Sequence, residues 1–306
     1  MRAASNNQDG LATFDLGTET AAFDWSDFVR GVTWVLAQEG FPISGFDVLI
    51  SSDVPIGAGL SSSAALEVSL LKALKQAFSL NLDEVRIARL GQRVENDFVG
   101  ARVGIMDQMI SSLGHFGEAV FIDTKKMTHR RIELPVQEMD LLVIDSGVKH
   151  NNSGGDYNQR RSECEQACAA LGIQELREMT SADLPKINQL PDTLARRARH
   201  VVTENERVLK AVEALEKRDF VGLGRLFNES HVSMRDDYQV SVPEIDQLVE
   251  LALSSKDVFG ARLTGGGFGG SIVALTRKGC AQAVGTKIIE AYREITGKTA
   301  RLLVPR

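Results

Sequence analysis

Residues 55–70 read PIGAGLSSSAALEVSL, so that two glycines and three serines stand directly before a run with helical periodicity. The first turn of a helix leaves backbone N–H groups without partners, and the helix dipole adds a partial positive charge there. A phosphate group satisfies both, and glycines let the backbone approach it closely. The stretch therefore predicts a phosphate-binding loop. On composition alone, an ordinary capped turn is the alternative, with the serine hydroxyls capping the helix.

Two familiar phosphate loops do not fit this stretch. The P-loop requires a lysine followed by serine or threonine after its second glycine, and no lysine is present here. The dinucleotide-binding loop requires an acidic residue about 20 positions later, after a second strand, whereas the following segment is predicted to be helical. The predicted ligand is therefore a nucleoside triphosphate that is held without either device.

The composition is that of a globular protein. The chain has 306 residues, of which 43% are hydrophobic and 25% charged, and its net charge is −6 at pH 7. The acidic balance predicts no nucleic-acid partner. No apolar run reaches the ~18–20 residues of a membrane span, and no signal peptide is recognised, so we predict a cytoplasmic protein without a membrane partner. The three cysteines are expected to be free thiols.

Hydrophobic periodicity predicts alternating helices and strands, followed by a helix-rich part. Helices are predicted over 24–40, from the serines to about 78, from 81–83 to the region of Glu95, over 104–113, through most of 159–230 and over about 280–296. Strands are predicted over 46–51, 119–123, 140–145, on both sides of a glycine turn in 261–275, and over 300–304, with 11–23 extended and 147–161 a polar loop. The change near 125–140 predicts two domains, 1–126 and 127–306.

A second glycine-rich stretch, GARLTGGGFGGSIV, covers residues 260–273. Five glycines within six positions are entropically unfavourable in a plain hairpin. Close approach of the backbone to a bound polyanion or substrate is the interpretation we favour, and a loose loop is the alternative.

Two carboxylates are candidates for catalysis. Asp107 lies in GIMDQ at the start of a predicted helix, where it could act as a general base or simply cap the helix. Glu95 lies twelve residues earlier, and a short loop could bring both carboxylates to one site. One would then hold Mg²⁺, which prefers oxygen ligands, and the other would accept a proton.

Five stretches resemble one family of kinases. PIGAGLSSSAALEV resembles the second motif of the GHMP kinase superfamily, and LTGGGFGGSIVAL resembles its third. GIMDQ, VKHNNSGGDYNQRRSEC (148–164) and ESHVSMRDDYQVSVPEID (229–246) are similar to the galactokinase family in particular. The five stretches occur in the family's order, and the resemblance runs from about residue 11 to the end.

The resemblance implies a fold and a reaction. The expected fold is that of a two-domain GHMP kinase, with an N-terminal α/β domain (ribosomal-S5-like), a C-terminal ferredoxin-like α+β domain and the site in the cleft between them. The expected reaction is ATP-dependent phosphorylation of the anomeric hydroxyl of galactose, giving galactose 1-phosphate. We also expect a monomer.

The resemblance also implies roles for individual residues. Those expected to bind the ATP phosphates are Gly57, Ala58, Gly59, Leu60, Ser61, Ser62, Ser63, Gly265, Gly266 and Gly267. Ser63 and Glu95 would hold Mg²⁺, and Asp107 would accept the proton of the sugar hydroxyl. Asp107, Gly104 and Tyr157 would contact the sugar. For His231, Ser233, Arg235 and Asp236, a buried polar network and direct substrate contact are both open.

One departure from the family pattern leaves alternatives open. The family's first motif, a strand and turn similar to PGRVNLIGEHTDY, contributes an arginine to phosphoryl transfer and acidic and histidine contacts to the sugar. No such string occurs in the printed sequence, so we expect an N-terminally incomplete chain that binds ATP but turns over galactose very poorly. A catalytically silent nucleotide- or sugar-binding protein, and a kinase for a related sugar such as N-acetylgalactosamine or arabinose, are the alternatives.

Overall fold

The computed structural model describes residues 1–148 and 155–303, together with the helical backbone at 157. Contacts divide the chain into two units, of which the first comprises residues 1–56 and 61–131. The second comprises residues 57–60 and the chain from residue 132 onward. The division by contacts thus falls at 131/132, whereas the sequence predicts a boundary at 126/127.

The first unit contains a three-stranded sheet in the order β2-β1-β3. The strands are β1 (Arg2–Ser5), β2 (Leu11–Thr13) and β3 (Asp47–Ile50). β1 pairs antiparallel with β2 and parallel with β3, so that Ala3 lies opposite both Ala12 and Val48. The hydrophobic pattern predicted β3 but not β1, and the extended segment expected over 11–23 is a strand only over its first three residues. Further along the chain, β4 (Glu118–Asp123) and β5 (Thr128–Glu133) form a separate two-stranded sheet.

Four helices complete the first unit: α1 (Asp27–Gln38), α2 (Ser62–Ala77), α3 (Glu84–Arg93) and α4 (Met106–Leu113). All four were predicted. Asp83 caps α3 as expected, because its carboxylate accepts a hydrogen bond from the Arg86 N–H at 2.7 Å. α3 continues directly into a π-helical turn, Val94–Val99, which carries Glu95. Apolar residues of β1, α1, α2 and α3 form one core, including Ala3, Val32, Leu36, Leu71 and Ile87.

The second unit is built on a four-stranded antiparallel sheet in the order β7-β8-β6-β9. Its strands are β6 (Met139–Asp145), β7 (Val258–Thr264), β8 (Ser271–Arg277) and β9 (Arg301–Leu303). Its helices are α5 (Gly155–Leu171), α6 (Leu184–Ile187), α7 (Asp192–Glu216), α8 (Phe220–Ser233), α9 (Pro243–Leu253) and α10 (Ala281–Thr296). Buried residues of the sheet, α9 and α10 form its main core, including Leu142, Ile245, Leu263, Ile272 and Tyr292.

The sequence prediction is wrong at the start of α5. A polar loop was expected over 147–161, but α5 begins at Gly155. Glycine and asparagine are typical of turns, and the apolar residues that pack this helix, Ala167 and Leu171, lie two turns or more further on. Its first turn therefore carries no hydrophobic signal. Within the described residues, no helix is both long and apolar enough to span a bilayer.

Candidate active site

The loop of residues 57–61 has a backbone that only a few residue types adopt readily. Gly57 and Gly59 have φ values of 76° and 70°, in the left-handed region. Ser61, which precedes α2, also has a positive φ of 58° and makes no side-chain hydrogen bond to the helix. The alternative expectation of a serine-capped turn is therefore wrong at Ser61. Because Ser61 does not cap α2, its side chain does not occupy the N–H groups of the first turn, and an anion can bind them.

In the second unit, residues 57–60 pack against the other glycine loop. The Ser271 hydroxyl donates a hydrogen bond to the Ala58 carbonyl oxygen at 2.7 Å. A Cβ atom on Gly265, which has a φ of 83°, would lie 2.7 Å from the carbonyl oxygen of Gly59. Only glycine fits at 265 for both reasons. The structure thus brings together two of the stretches that the sequence assigned to phosphate binding.

The second loop turns through an unusual run of left-handed residues. Gly265, Gly267, Gly269 and Gly270 all have positive φ values, and so does Phe268 at 59°. The loop is attached to β6 at its end, because the Ser146 N–H donates to the Gly270 carbonyl oxygen at 2.9 Å. These contacts give it a defined conformation, so the alternative of a loose loop is not supported.

In the first unit, the predicted metal ligands lie together. The Ser63 hydroxyl, in the first turn of α2, donates to Glu95 Oε1 at 2.8 Å, and the Gln108 amide donates to the same oxygen at 3.2 Å. Glu95 is only 7% exposed. Burial raises the pKa of Glu95, the hydrogen bond from Ser63 opposes this, and the negative charge of Asp107 raises it further. A cation at this position would relieve that unfavourable charge.

The oxygen atoms of this pair suit a magnesium ion. Within the described residues there is no group of three or more histidine, cysteine, aspartate or glutamate side chains that could hold a metal. Mg²⁺ does not need such a group, because it takes one or two protein carboxylates and completes its coordination with water and phosphate oxygens. The carboxylate and hydroxyl of Glu95 and Ser63 fit that requirement.

Asp107 lies in the first turn of α4 and is half-buried. The cap position of α4 is occupied by Ile105, and no side chain caps the helix. The interpretation of Asp107 as a helix cap is therefore wrong. Its charge acts on Glu95, so the two carboxylates that the sequence suggested for one site do lie near each other.

Gly104 and Tyr157 are the other two residues that were expected to contact the sugar. Gly104 is exposed, in the segment that leads into α4 three residues before Asp107. Position 157 lies on α5, but the side chain of Tyr157 is outside the described part of the chain.

Sequence reasoning missed a buried acid beside this pair. Glu67, on α2, is 0% exposed. Within the described residues no group has hydrogen-bond geometry to either of its carboxylate oxygens, and burial raises the pKa of Glu67 more than the nearby Gln108 side chain lowers it. Burial, and then the negative charge of Glu95, raise the pKa of Glu67 to about 10. A signal was available, because Ala64, Glu67, Val68 and Leu71 follow the spacing of a buried helix face, and all four are buried.

Sequence reasoning also missed a pocket in the first unit. A cavity of about 470 Å³ opens beside the start of α2, and its lining includes Ser5, Asn7, Trp25, Ser52, Val54 and Ser62. Two of its lining residues are joined, because the side-chain amide of Asn7 exchanges two hydrogen bonds with the backbone of Ser52, at 2.8 and 2.9 Å. The residues that line the pocket come from segments far apart in the sequence, so no local sequence pattern predicts it.

Two residues of the stretch 229–246, His231 and Ser233, are buried and make polar contacts. His231 is 3% exposed, and its Nε2 lies 3.3 Å from Asp246 Oδ1. Ser233 is buried and pairs with His200 Nδ1 at 2.9 Å. Arg235 and Asp236 form an ion pair with each other. Of the two open interpretations, the structure supports the polar network for His231 and Ser233.

The chain matches two family models, described as GHMP kinases N terminal domain, over residues 27–115, and GHMP kinases C terminal, over residues 211–294. Among solved structures, L. major mevalonate kinase in complex with R-mevalonate has a TM-score of 0.63 at 19% identity, covering 91% of this chain and 76% of that one. That likeness concerns the fold alone. The predicted two-domain GHMP kinase fold is confirmed.

Three proteins with higher sequence identity to this chain are described as galactokinases. Galactokinase of Chloroflexus aurantiacus is 46% identical over 286 residues, covering 92% of this chain and 73% of that protein. Galactokinase of Thermotoga neapolitana is 41% identical over 270 residues, covering 88% and 76%. The structure of Lactococcus lactis galactokinase complexed with galactose has a TM-score of 0.95 at 32% identity, covering 99% of this chain and 81% of that one. This chain belongs to the galactokinase family.

Proposed function

We propose that this chain transfers the γ-phosphoryl group of ATP to the anomeric hydroxyl of galactose, giving galactose 1-phosphate and ADP. Membership of the galactokinase family supports the reaction and the sugar. The observation that carries the proposal is the hydrogen bond between Ser63 and Glu95 in the first turn of α2, with the charge of Asp107 acting on the same carboxylate. Phosphoryl transfer depends on such parts, namely held phosphates, a metal and a base.

The phosphates are held by backbone groups. The first turn of α2 offers N–H groups and the positive end of the helix dipole. The left-handed glycines of residues 57–59 let the chain curve closely around an anion. The loop of Gly265, Gly266 and Gly267 packs on residues 57–60, which supports a common role in binding ATP.

The metal-binding residues are Ser63 and Glu95. Magnesium, when bound, neutralises charge on the phosphate oxygens during transfer. The protein supplies the carboxylate of Glu95 and the hydroxyl of Ser63, and the amide of Gln108 keeps Glu95 in place through its 3.2 Å hydrogen bond.

The base is Asp107. One of its carboxylate oxygens accepts the proton of the anomeric hydroxyl while that hydroxyl oxygen bonds to the γ-phosphorus and the bond to the β,γ-bridging oxygen breaks. Gly104 and Tyr157 are proposed to contact the sugar. A general base of this kind typically contributes ~10²–10⁴-fold to the rate.

The pocket beside α2 is suited to the base of the nucleotide. Ser62 and Ser63, next to the proposed phosphate site, line it, and most of its exposed lining surface is apolar, with Trp25 among the lining residues. Pockets of this size with a few polar groups are typical of small-molecule sites. We infer that the adenine ring lies in it.

A coupled assay for ADP release tests the proposal directly. The chain is supplied with ATP, Mg²⁺ and one sugar at a time: galactose, N-acetylgalactosamine, arabinose or glucose. We expect ADP release to depend on galactose and on magnesium. The rate of release also tests the expectation that this chain turns over galactose poorly. Release with another sugar only would replace galactose as the substrate. ATP binding in calorimetry without release on any sugar would favour the silent binding protein.

A cytoplasmic location, a monomeric state and the lack of nucleic-acid or membrane partners remain predictions from the sequence.

A further inference from the structure

The glycine loop rests on a short segment, residues 237–240, that lies between α8 and α9. The Phe268 N–H donates to the Val240 carbonyl oxygen at 2.6 Å. A Cβ atom on Gly267 would lie 2.5 Å from that same oxygen. The loop is thus in van der Waals contact with the segment at 267 and hydrogen-bonded to it at 268. Displacement of Val240 would displace both residues.

The segment 237–240 has little regular structure of its own. The π-helical turn Met234–Tyr238 ends there, and Gln239 has a left-handed φ of 56°. For a residue other than glycine, that conformation is less stable by about 1 kcal/mol. The segment therefore needs contacts from neighbouring elements to keep this conformation.

Arg197, on α7, supplies these contacts. It is only 2% exposed. Its Nη1 donates to the Asp237 carbonyl oxygen at 2.6 Å, and its Nη2 donates to Gln239 Oε1 at 2.9 Å. Its Nε donates to Glu163 Oε2, on α5, at 2.6 Å. One guanidinium group therefore binds two points of the segment and a carboxylate that neutralises its charge.

A second arginine connects the same carboxylate to the glycine loop. Arg160 Nη1 donates to Glu163 Oε2 at 3.0 Å, and Arg160 Nη2 donates to the Gln239 carbonyl oxygen at 3.3 Å. The Arg160 guanidinium also lies over the Phe268 ring, 5.7 Å from its centroid. Both arginines thus converge on Glu163 and on Gln239.

We propose that Arg197 is a positioning residue for the glycine loop: together with Glu163 and Arg160 it fixes segment 237–240, and this segment fixes Gly267 and Phe268 in the conformation that receives the phosphates of ATP. The inference rests on the proposed function in assigning the loop to ATP. The stretches 148–164 and 229–246, which resemble the galactokinase family, would then contain residues that hold the glycine loop in place and do not contact the substrate.

Lysine cannot replace this arginine. The guanidinium is planar and directs three N–H groups at three separate acceptors, whereas an ammonium group is a single point on a flexible stem. Arg197→Lys keeps the charge but loses the bridge between Glu163, Asp237 and Gln239. The exposed Gln239→Ala variant removes one acceptor without altering a buried residue, so it provides a second test if Arg197 variants fold poorly.

Two measurements test the proposal in the full chain. Hydrogen exchange followed by mass spectrometry reports on residues 265–271 without any ligand, and calorimetry gives the dissociation constant for Mg-ATP. In Arg197→Lys and Arg197→Met we expect the Phe268 amide to exchange about tenfold faster or more, as expected for losing hydrogen bonds to a buried charged group. We expect Mg-ATP affinity to fall by a similar factor, and Gln239→Ala to show both effects more weakly.

Arg196→Met is the matched control, because Arg196 lies on the same helix and pairs with Asp192 within it. It should change neither measurement. Parent-like exchange of residues 265–271 in a folded Arg197→Met variant would overturn the inference. If the parent chain fails to bind ATP, the proposed function fails, while the exchange measurement still decides whether Arg197 fixes the loop. Faster exchange with unchanged ATP affinity would overturn the role of this contact in ATP binding.

Discussion

Ser63 Oγ lies 2.8 Å from Glu95 Oε1, and this hydrogen bond joins the first turn of α2 to the π-helical turn that follows α3. The two residues are 32 positions apart in the sequence. Their oxygen atoms lie together at the N-terminal end of α2, with Glu95 buried and Ser63 half-buried. In the proposed reaction these two residues bind the magnesium ion.

Removing either partner should weaken metal binding more than sugar binding. In Glu95→Gln and Ser63→Ala, the Mg²⁺ concentration that gives half-maximal activity should rise about tenfold or more, because a hard cation loses a charged or neutral oxygen ligand. The KM for galactose should change much less. Ser254→Ala is the control, since Ser254 is exposed, lies outside the proposed site, and its hydroxyl donates to the Leu251 carbonyl oxygen. Mg²⁺ titrations of Glu95→Gln and parent that superimpose would disprove the ligand assignment.

Glu67 should make the stability of the protein fall as the pH rises. The pKa of Glu67 is about 10 in the folded chain, against an ordinary value of 4.5. Between these values the folded state keeps a proton that the unfolded state has released. The free energy of unfolding therefore decreases with pH in this interval, by up to ~1.4 kcal/mol per pH unit. Below about pH 4.5 this penalty is absent.

The variant Glu67→Gln removes that titration while preserving the shape of the side chain. Urea unfolding at pH 5, 6.5 and 8 should show Glu67→Gln gaining stability over the parent as the pH rises. The exposed Glu290→Gln serves as control and should show a constant difference. A constant difference for Glu67→Gln as well would show that Glu67 is ionised in the folded protein.

A side chain at Gly265 should disturb the contact between the two glycine loops. In Gly265→Ala, the new Cβ would meet the Gly59 carbonyl oxygen at 2.7 Å on a backbone with a φ of 83°. We expect Mg-ATP affinity to fall by about tenfold or more, consistent with a strain of 1–3 kcal/mol. Gly279→Ala is the control, because Gly279 has a similar φ of 78° but nothing within 4 Å. Equal loss of ATP affinity in both variants would refute a specific role for the contact.

Trp25 should report on the nucleotide base. The chain has two tryptophans; Trp25 lines the pocket, and Trp34 packs against Phe98, 5.8 Å between ring centroids. Adding ATP should change the tryptophan fluorescence in the parent and in Trp34→Phe, but not in Trp25→Phe. A fluorescence change that persists in Trp25→Phe and disappears in Trp34→Phe would place the base elsewhere.

Much of the fold could be predicted because its elements have strong local signals. α1 shows Val29, Val32, Val35 and Leu36 at helical spacing, and all four are buried. The hydrophobic pattern did not predict β1 because RAAS contains no large apolar residue, and this strand is stabilised by pairing with β3, more than forty residues away. The first turn of α5 was missed because its glycine and asparagine content is typical of turns.

The candidate site was predicted in part. Ser63 and Asp107 were predicted because each lies in a short motif that resembles the family's, and Glu95 was predicted because a short loop could bring it to the site of Asp107. Glu67 was missed although its spacing indicated a buried face, because a lone acid in an apolar run was not treated as a signal. The contacts of Arg197 join α7 to α5 and to segment 237–240. No sequence pattern relates those three segments, since the relation arises only from tertiary packing.

The central claim is that Asp107 accepts the proton of the sugar hydroxyl. It is tested most directly by the rate of ADP release at saturating galactose and Mg-ATP in Asp107→Asn, with Asp47→Asn, whose exposed carboxylate pairs with Arg2, as the control. The account predicts that kcat falls by ~10²–10⁴-fold in Asp107→Asn while the dissociation constant for Mg-ATP stays within about twofold of the parent. The Asp47→Asn control should keep the parental kcat. A near-parental kcat in folded Asp107→Asn would contradict the account.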